Sequence, residues 1–149
     1  MRMFARSLFV AVMLASLAPP ALAADIRVLG VEAVAAALRP LAADFTRQTG
    51  HQVLLTLAAP EVMTQKLAAN EVLDVVILPE PAMDRLDSDG IVNPESRQRL
   101  AVAAGTTYEG ALMSEGGVPQ AATALIEFLA SPDARPAWVA AKFEPLPDH

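Results

Sequence analysis

The chain has 149 residues, no cysteine and a formal net charge of −6 at pH 7. Without cysteine it can form no disulfide, no thiol nucleophile and no thiolate metal site. An acidic chain with only two lysines, Lys66 and Lys142, is poorly suited to nucleic acid or to an anionic membrane surface. We therefore expect no nucleic-acid partner.

The first 23 residues have the pattern of a secretory signal peptide. Arg2 and Arg6 give a positive amino-terminal region, and Leu8–Ala18 is an apolar stretch too short to span a bilayer as a helix. Ala21-Leu22-Ala23 is a small-x-small cleavage signal. We predict cleavage after Ala23, export to the periplasm and a single domain over residues 24–149. An uncleaved anchor is the alternative.

The first part of the predicted domain alternates strand and helix patterns. The predicted elements are a strand at Ile26–Leu29, a helix at Val31–Gln48, a strand at Gln52–Leu57, a helix at Glu61–Ala69 begun by Pro60, a strand at Asp74–Leu78 and a helix at Glu80–Ser88. Val34, Leu38, Leu41 and Phe45 form one apolar stripe on the first helix. Pro40 within that helix predicts a kink, or a split near Arg39. Val62, Met63 and Leu67 should face inward from the second helix.

The remainder predicts a hairpin followed by two helices. Leu100–Ala104 and Tyr108–Met113 are short strands flanking a loop of Gly105-Thr106-Thr107. Pro119–Ala130 reads as an amphipathic helix. Ser131 is predicted to cap a last helix that runs to about Lys142 and is anchored by Trp138.

Three successive strand–helix units predict an α/β fold, with a mostly parallel sheet and helices on both faces. In such sheets ligands bind beyond the carboxyl ends of the strands, where the helices begin. The candidate ligand-binding residues are Gly30, Val31, Glu32, Ala59, Pro60, Glu61, Pro79 and Glu80.

The three glutamates at these junctions, Glu32, Glu61 and Glu80, allow two interpretations. Clustered carboxylates favour a cation or amine site, whereas acidic residues also stabilise the first turns of helices. The spacing matches no known metal loop. His51 falls at the amino end of its strand, and Ser114 and Ser131 lack a basic partner. We expect no catalytic residues, no metal site and no cofactor, and hence a protein that is not an enzyme.

Two segments resemble the two ends of one known fold. Ala24–Ala104 contains ADIRVLGVEAVAAALRPLAADF and DVVILPEPAMDRLDSDG, and Tyr108–Pro145 contains ALIEFLASPDARPAWVAAKFEP. Together they resemble the periplasmic solute-binding proteins of ABC transporters, type II, most closely the molybdate-binding-like branch. That resemblance implies two lobes that clamp a ligand between them. Here Gly105-Thr106-Thr107 stands in place of the second lobe, so we expect a chain reduced to one lobe.

The resemblance also implies an oxyanion held by hydroxyls and backbone N–H groups after the first two strands. Gly30-Val31-Glu32 and Ala58–Glu61 lack those hydroxyls, and Glu32 and Glu61 would repel an anion. With one lobe, hinge closure is impossible. We expect weak or altered solute binding at the strand ends. The alternatives are an interaction or sensor module, and a degenerate remnant without a ligand.

Loss of a lobe predicts uncovered apolar surface. Tyr108, Leu112 and Met113 would lie on the hinge side, and Val31 and Val62 on the cleft side. Exposed apolar patches mark partner interfaces. We therefore predict self-association or docking on a partner such as a membrane permease.

Overall fold

The computed structural model describes residues 22–69 and 71–146. Most of the predicted signal peptide lies outside these residues, so cleavage after Ala23 stays a prediction. Within the described ranges, no helix is both long enough and apolar enough to cross a membrane.

Three strand–helix units are followed by a hairpin and two helices. The elements are β1 Asp25–Val31, α1 Ala35–Thr49, β2 Gln52–Ala58, α2 Pro60–Ala68, β3 Val75–Pro79, α3 Glu80–Ser88, β4 Gln98–Ala103, β5 Thr106–Leu112, α4 Pro119–Ala130 and α5 Arg135–Ala140. Short 3-10 turns occupy Glu32–Val34, Pro94–Ser96 and Pro132–Ala134. The predicted order of elements is confirmed.

The strands form one sheet in the order β2-β1-β3-β5-β4. β1 runs parallel to both β2 and β3, and β5 runs antiparallel to both β3 and β4. Four strands therefore point the same way and β5 alone opposes them. This is the mostly parallel α/β sheet that the sequence predicts.

Helices cover both faces of this sheet. Gly30 and Gly110 both pair with Ile77 and so share one face. A Cβ on Gly30 would meet Leu38 of α1, and one on Gly110 would meet Ile126 of α4. The neighbouring Glu109 points to the opposite face, where α3 contacts β5. Helices α1 and α4 thus lie on one face and α3 on the other.

The core lies mainly between the sheet and α1, α4 and α5. The predicted stripe of α1 is confirmed, since Val34, Leu38, Leu41 and Phe45 are all buried. Trp138 is also buried, and its indole Nε1–H donates to the Leu129 carbonyl over 3.0 Å. The indole therefore joins α5 to the end of α4.

Helix α1 departs from the prediction in two ways. β1 continues to Val31, which pairs with Ala58, so the α-helix begins only at Ala35. The helix is continuous through Pro40, and the predicted split is wrong. Pro40 and Ala36 are both exposed. The Ala36 carbonyl that Pro40 leaves without a donor can therefore bind water.

The antiparallel hairpin of β4 and β5 is confirmed, but its loop is shorter than predicted. Ala103 pairs with Thr106, which leaves only Ala104 and Gly105 in the turn. Both have positive φ, 49° and 77°, as in the two-residue turns that match strand twist. No second lobe is inserted at this point of the chain.

Three predictions about individual side chains are wrong. Ser131 does not cap the following turn, because its hydroxyl donates backwards to the Phe128 carbonyl over 2.6 Å. Val62 is 41% exposed rather than inward-facing, because it lies on the outer side of α2. On the hinge side, Tyr108, Leu112 and Met113 are half-buried and pack against the core, so they leave no open apolar patch.

Candidate ligand-binding site

The carboxyl ends of β1, β2 and β3 meet at one edge of the sheet. Val31 is in register with Ala58, and Gly30 with Ile77. Because the three strands are parallel and adjacent, the chain leaves each of them at the same edge and enters a helical turn. The three predicted junctions are therefore neighbours in space.

A groove of about 390 Å³ lies beside this edge, between α2 and α3. Three of the candidate residues, Val31, Pro60 and Pro79, line it. The other lining residues are Met63, Thr64, Leu67 and Ala68 of α2, Leu78 of β3, Ala82, Arg85 and Leu86 of α3, and Asp89 and Ile91 beyond it. Its size is within the range of small-molecule sites, and most of its wall is apolar.

The remaining candidate residues lie outside the wall of the groove. Gly30 is buried in β1, and a Cβ there would stand 3.2 Å from Leu38 Cδ1 and 3.3 Å from Leu57 Cδ2. A side chain there would press on these two leucines, so Gly30 fits the close packing under α1. Ala59 is half-buried in an extended conformation just before α2.

The three glutamates are separate rather than convergent. Glu32 and Glu61 are exposed, and Glu80 is half-buried with its carboxylate 3.9 Å from Arg99. Each lies in the first turn of its helix. Among residues 22–69 and 71–146, no group of three or more acidic or histidine side chains is placed to hold a metal ion. The geometry favours helix stabilisation over a cation site.

Backbone donors are scarce at the strand ends. Pro60, Pro79 and Pro81 have no N–H group, so each removes a donor from the junctions of β2 with α2 and of β3 with α3. The amides of Val62 and Met63 both donate to the Ala59 carbonyl over 3.0 Å. The start of α2 therefore offers few free N–H groups to an anion.

Two polar residues have structural roles away from the groove: Asp74, which the sequence did not single out, and His51, which it did. The buried Asp74 carboxylate accepts from the N–H groups of Arg27 and Gly117 over 2.8 and 2.9 Å. His51 lies at the amino end of its strand, as predicted, and its Nδ1 accepts a hydrogen bond from the Ala24 N–H over 3.0 Å. The only sequence signal for Asp74 is an acid directly before an unbroken apolar run.

A third polar cluster joins α3 to the hairpin. Arg97 donates to Asp84, Asp87 and Glu109 over 2.6, 2.9 and 2.7 Å. Hydrogen bonds to Asp84, and then to Glu109, raise the pKa of Arg97 above its usual range. The sequence did not single out Arg97, because its partners come from two distant segments of the chain.

The fold and groove define a class: an α/β domain with a groove at the carboxyl edge of a mostly parallel sheet. The model of the bacterial extracellular solute-binding protein family matches residues 26–106, more than half of the chain. The chain belongs to this family. A search of curated proteins gave no match.

Solved structures show the same fold at low sequence identity. A substrate-binding domain described as that of a molybdenum ABC transporter from Clostridium difficile is 9% identical, with a TM-score of 0.75 over 84% of this chain and 100% of that chain. The periplasmic molybdate-binding protein of Azotobacter vinelandii is 12% identical, with a TM-score of 0.73 over 83% and 100%.

Iron-bound HitA from Pseudomonas aeruginosa is 11% identical, with a TM-score of 0.62 over 77% of this chain and 84% of that chain. The matched family and these structures are binding proteins. The resemblance to the molybdate-binding-like branch is confirmed at the level of fold, and the single five-stranded sheet corresponds to one lobe.

Proposed function

We propose that this chain is an exported, non-enzymatic solute-binding domain related to ABC transport, which holds a small solute in the groove between α2 and α3. The carrying observation is that Val31, Pro60 and Pro79, from three separate junctions, line one groove in a chain of this family. The proposed location is the periplasm, reached after cleavage behind Ala23.

The chemistry of the site supports an altered ligand rather than an inorganic oxyanion. Met63, Leu67 and Leu86 give the groove an apolar wall. The strand-end loops lack hydroxyls, and their prolines remove N–H donors. Each charge-assisted hydrogen bond that is missing forfeits about 1.5–3 kcal/mol. Two such losses weaken oxyanion binding by about a hundredfold or more.

A single lobe also changes how a solute is held. The groove is open on the side where a second lobe would close, so binding gains nothing from burial between two lobes. We expect weak binding in the isolated domain. A permease or another protein would supply the missing cover during transport.

A thermal-shift screen of periplasm-relevant small solutes, with and without a bulky substitution in the groove, tests the proposal. Thr64 is exposed and lines the groove. We expect the Thr64→Trp variant to fill the groove and to abolish the stabilisation that a binding solute gives the wild type.

Thr123 provides a matched control. Thr64 and Thr123 are both exposed, each follows the proline that begins its helix by four residues, and each donates its hydroxyl to that proline's carbonyl. Thr123→Trp should leave the solute effect unchanged. If no solute in the screen stabilises the wild type, or if the stabilisation survives Thr64→Trp, the proposed binding site is contradicted. An interaction module or a remnant without a ligand is then favoured.

A further inference from the structure

The two edges of the sheet are built differently. At the β4 edge, Gln98 and Arg99 are exposed, and the register with β5 shifts between Arg99 and Ala101. Glu144 then covers this edge, since it exchanges backbone hydrogen bonds of 2.6 and 3.1 Å with Val102. Charge, irregularity and a covering segment are the devices that prevent another strand from adding to an edge.

Within the part of the chain that the structure describes, the β2 edge has none of these devices. Its seven residues, Gln52-Val53-Leu54-Leu55-Thr56-Leu57-Ala58, include no charge, no proline and no glycine. They pair with β1 without a register shift. Among the described residues, β1 is the only strand beside β2. Leu54 is 46% exposed on this strand.

The pairing with β1 fixes which backbone groups point outward. The Gln52 N–H donates to the Ala24 carbonyl over 2.9 Å. In a parallel ladder, alternate residues of a strand bond to the same neighbour. Gln52, Leu54, Thr56 and Ala58 therefore bond to β1. The N–H and C=O groups of Val53, Leu55 and Leu57 point away from the sheet.

We propose that β2 pairs antiparallel with β2 of a second copy of this chain, with Leu55 on the two-fold axis. In that register Val53 lies opposite Leu57 of the second copy, and Leu55 lies opposite its own equivalent. The three outward N–H groups and three outward carbonyls of each copy form six hydrogen bonds between the copies. The two sheets become one sheet of ten strands.

The sequence of the edge suits a second copy in particular. The segment from Val53 to Leu57 is apolar at every position but Thr56. Pairing two copies about a two-fold axis therefore places no like charges opposite each other. Leu54 of one copy lies beside Thr56 of the other and is covered. Because the pairing is isologous, it closes at a dimer instead of growing into a fibre.

Cysteine cross-linking tests the register, because the chain has no cysteine of its own. Leu54 and Thr56 of the second copy would form a non-hydrogen-bonded pair with Cα atoms about 4.5 Å apart, within disulfide range. Two equivalent copies of Leu54 would lie about 7–8 Å apart on the diagonal, beyond that range. Under mild oxidation, a mixture of the purified Leu54→Cys and Thr56→Cys proteins should form covalent dimers faster than either alone.

The Val62→Cys protein measures the background rate of cross-linking. Val62 is exposed to a similar extent as Leu54 but lies on α2, away from the proposed pairing. Sedimentation over a range of concentrations gives the second readout. Leu54→Lys should raise the dimer dissociation constant about tenfold or more, and its thermal midpoint should match that of the wild type at concentrations where both are monomeric.

Cross-linking of the mixture no faster than that of Val62→Cys would overturn the proposal. So would a wild type that stays monomeric, or a dimer that Leu54→Lys does not weaken. Pairing with the strand of an unrelated protein, without self-association, would show the edge to be a general docking site and would equally overturn it.

Discussion

Asp74 shows how one side chain joins segments that are distant in sequence. Its two carboxylate oxygens accept from the N–H groups of Arg27 and Gly117, and its backbone also bonds to Arg27 and Met113. It therefore ties the start of β3 to β1 and to the loop before α4. Because Asp74 is buried, no water can readily replace its carboxylate.

We predict that Asp74→Ala lowers the free energy of unfolding by at least about 2 kcal/mol, since it leaves two backbone N–H groups without an acceptor. Urea denaturation followed by circular dichroism measures the loss. Asp133→Ala is the control, because Asp133 is exposed and should change stability by less than about 0.5 kcal/mol. Equal effects of the two substitutions would contradict the assigned role.

At the scale of elements, the Arg97 cluster fixes α3 against the hairpin. Arg97 directly precedes β4. Asp84 and Asp87 both lie in α3, and Glu109 is buried in β5. One guanidinium thus bonds to helix α3 and to strand β5, which are not consecutive in the chain. Its removal would leave the Glu109 carboxylate buried without a cation.

We predict that Arg97→Met destabilises the fold by about 3 kcal/mol, the lower end of the range for breaking a buried pair, because Asp84 is exposed. Guanidinium chloride denaturation measures this. The double variant Arg97→Met with Glu109→Gln should recover part of the loss. Arg99→Met, which removes an exposed charge 3.9 Å from Glu80, should cost less than about 1 kcal/mol. No recovery in the double variant would assign the loss to packing alone.

Local sequence patterns predicted most elements because each pattern reports burial directly. The stripe of α1 and the apolar run of β3 are examples. Element boundaries and side-chain partners were less predictable, because they depend on contacts between distant segments. Pairing with β2 extends β1 to Val31, and α1 continues through Pro40 where both Ala36 and Pro40 are exposed. Neither is visible in the local sequence.

The candidate site was predictable in position but not in composition. Parallel strands end at one edge, so the junctions at Val31, Pro60 and Pro79 had to be close together. Which residues line the groove depends on how α2 and α3 cross the sheet. For that reason Met63 and Leu86 were missed, and Gly30 proved to belong to the core under α1.

At the scale of the whole molecule, a two-residue turn stands where the family's chain would enter a second lobe. Ala104 and Gly105 join β4 directly to β5, and one five-stranded sheet carries all the described helices. The groove lies at the strand ends and has a mostly apolar wall. The strand-end junctions lack hydroxyls, and prolines there remove N–H donors that could hold an oxyanion.

Isothermal titration calorimetry with molybdate, tungstate and sulfate tests this account most directly. With no strand-end hydroxyls, three prolines in place of N–H donors and no closing lobe, we predict no binding with a dissociation constant below about 1 μM. Submicromolar binding of any of the three oxyanions would contradict the account.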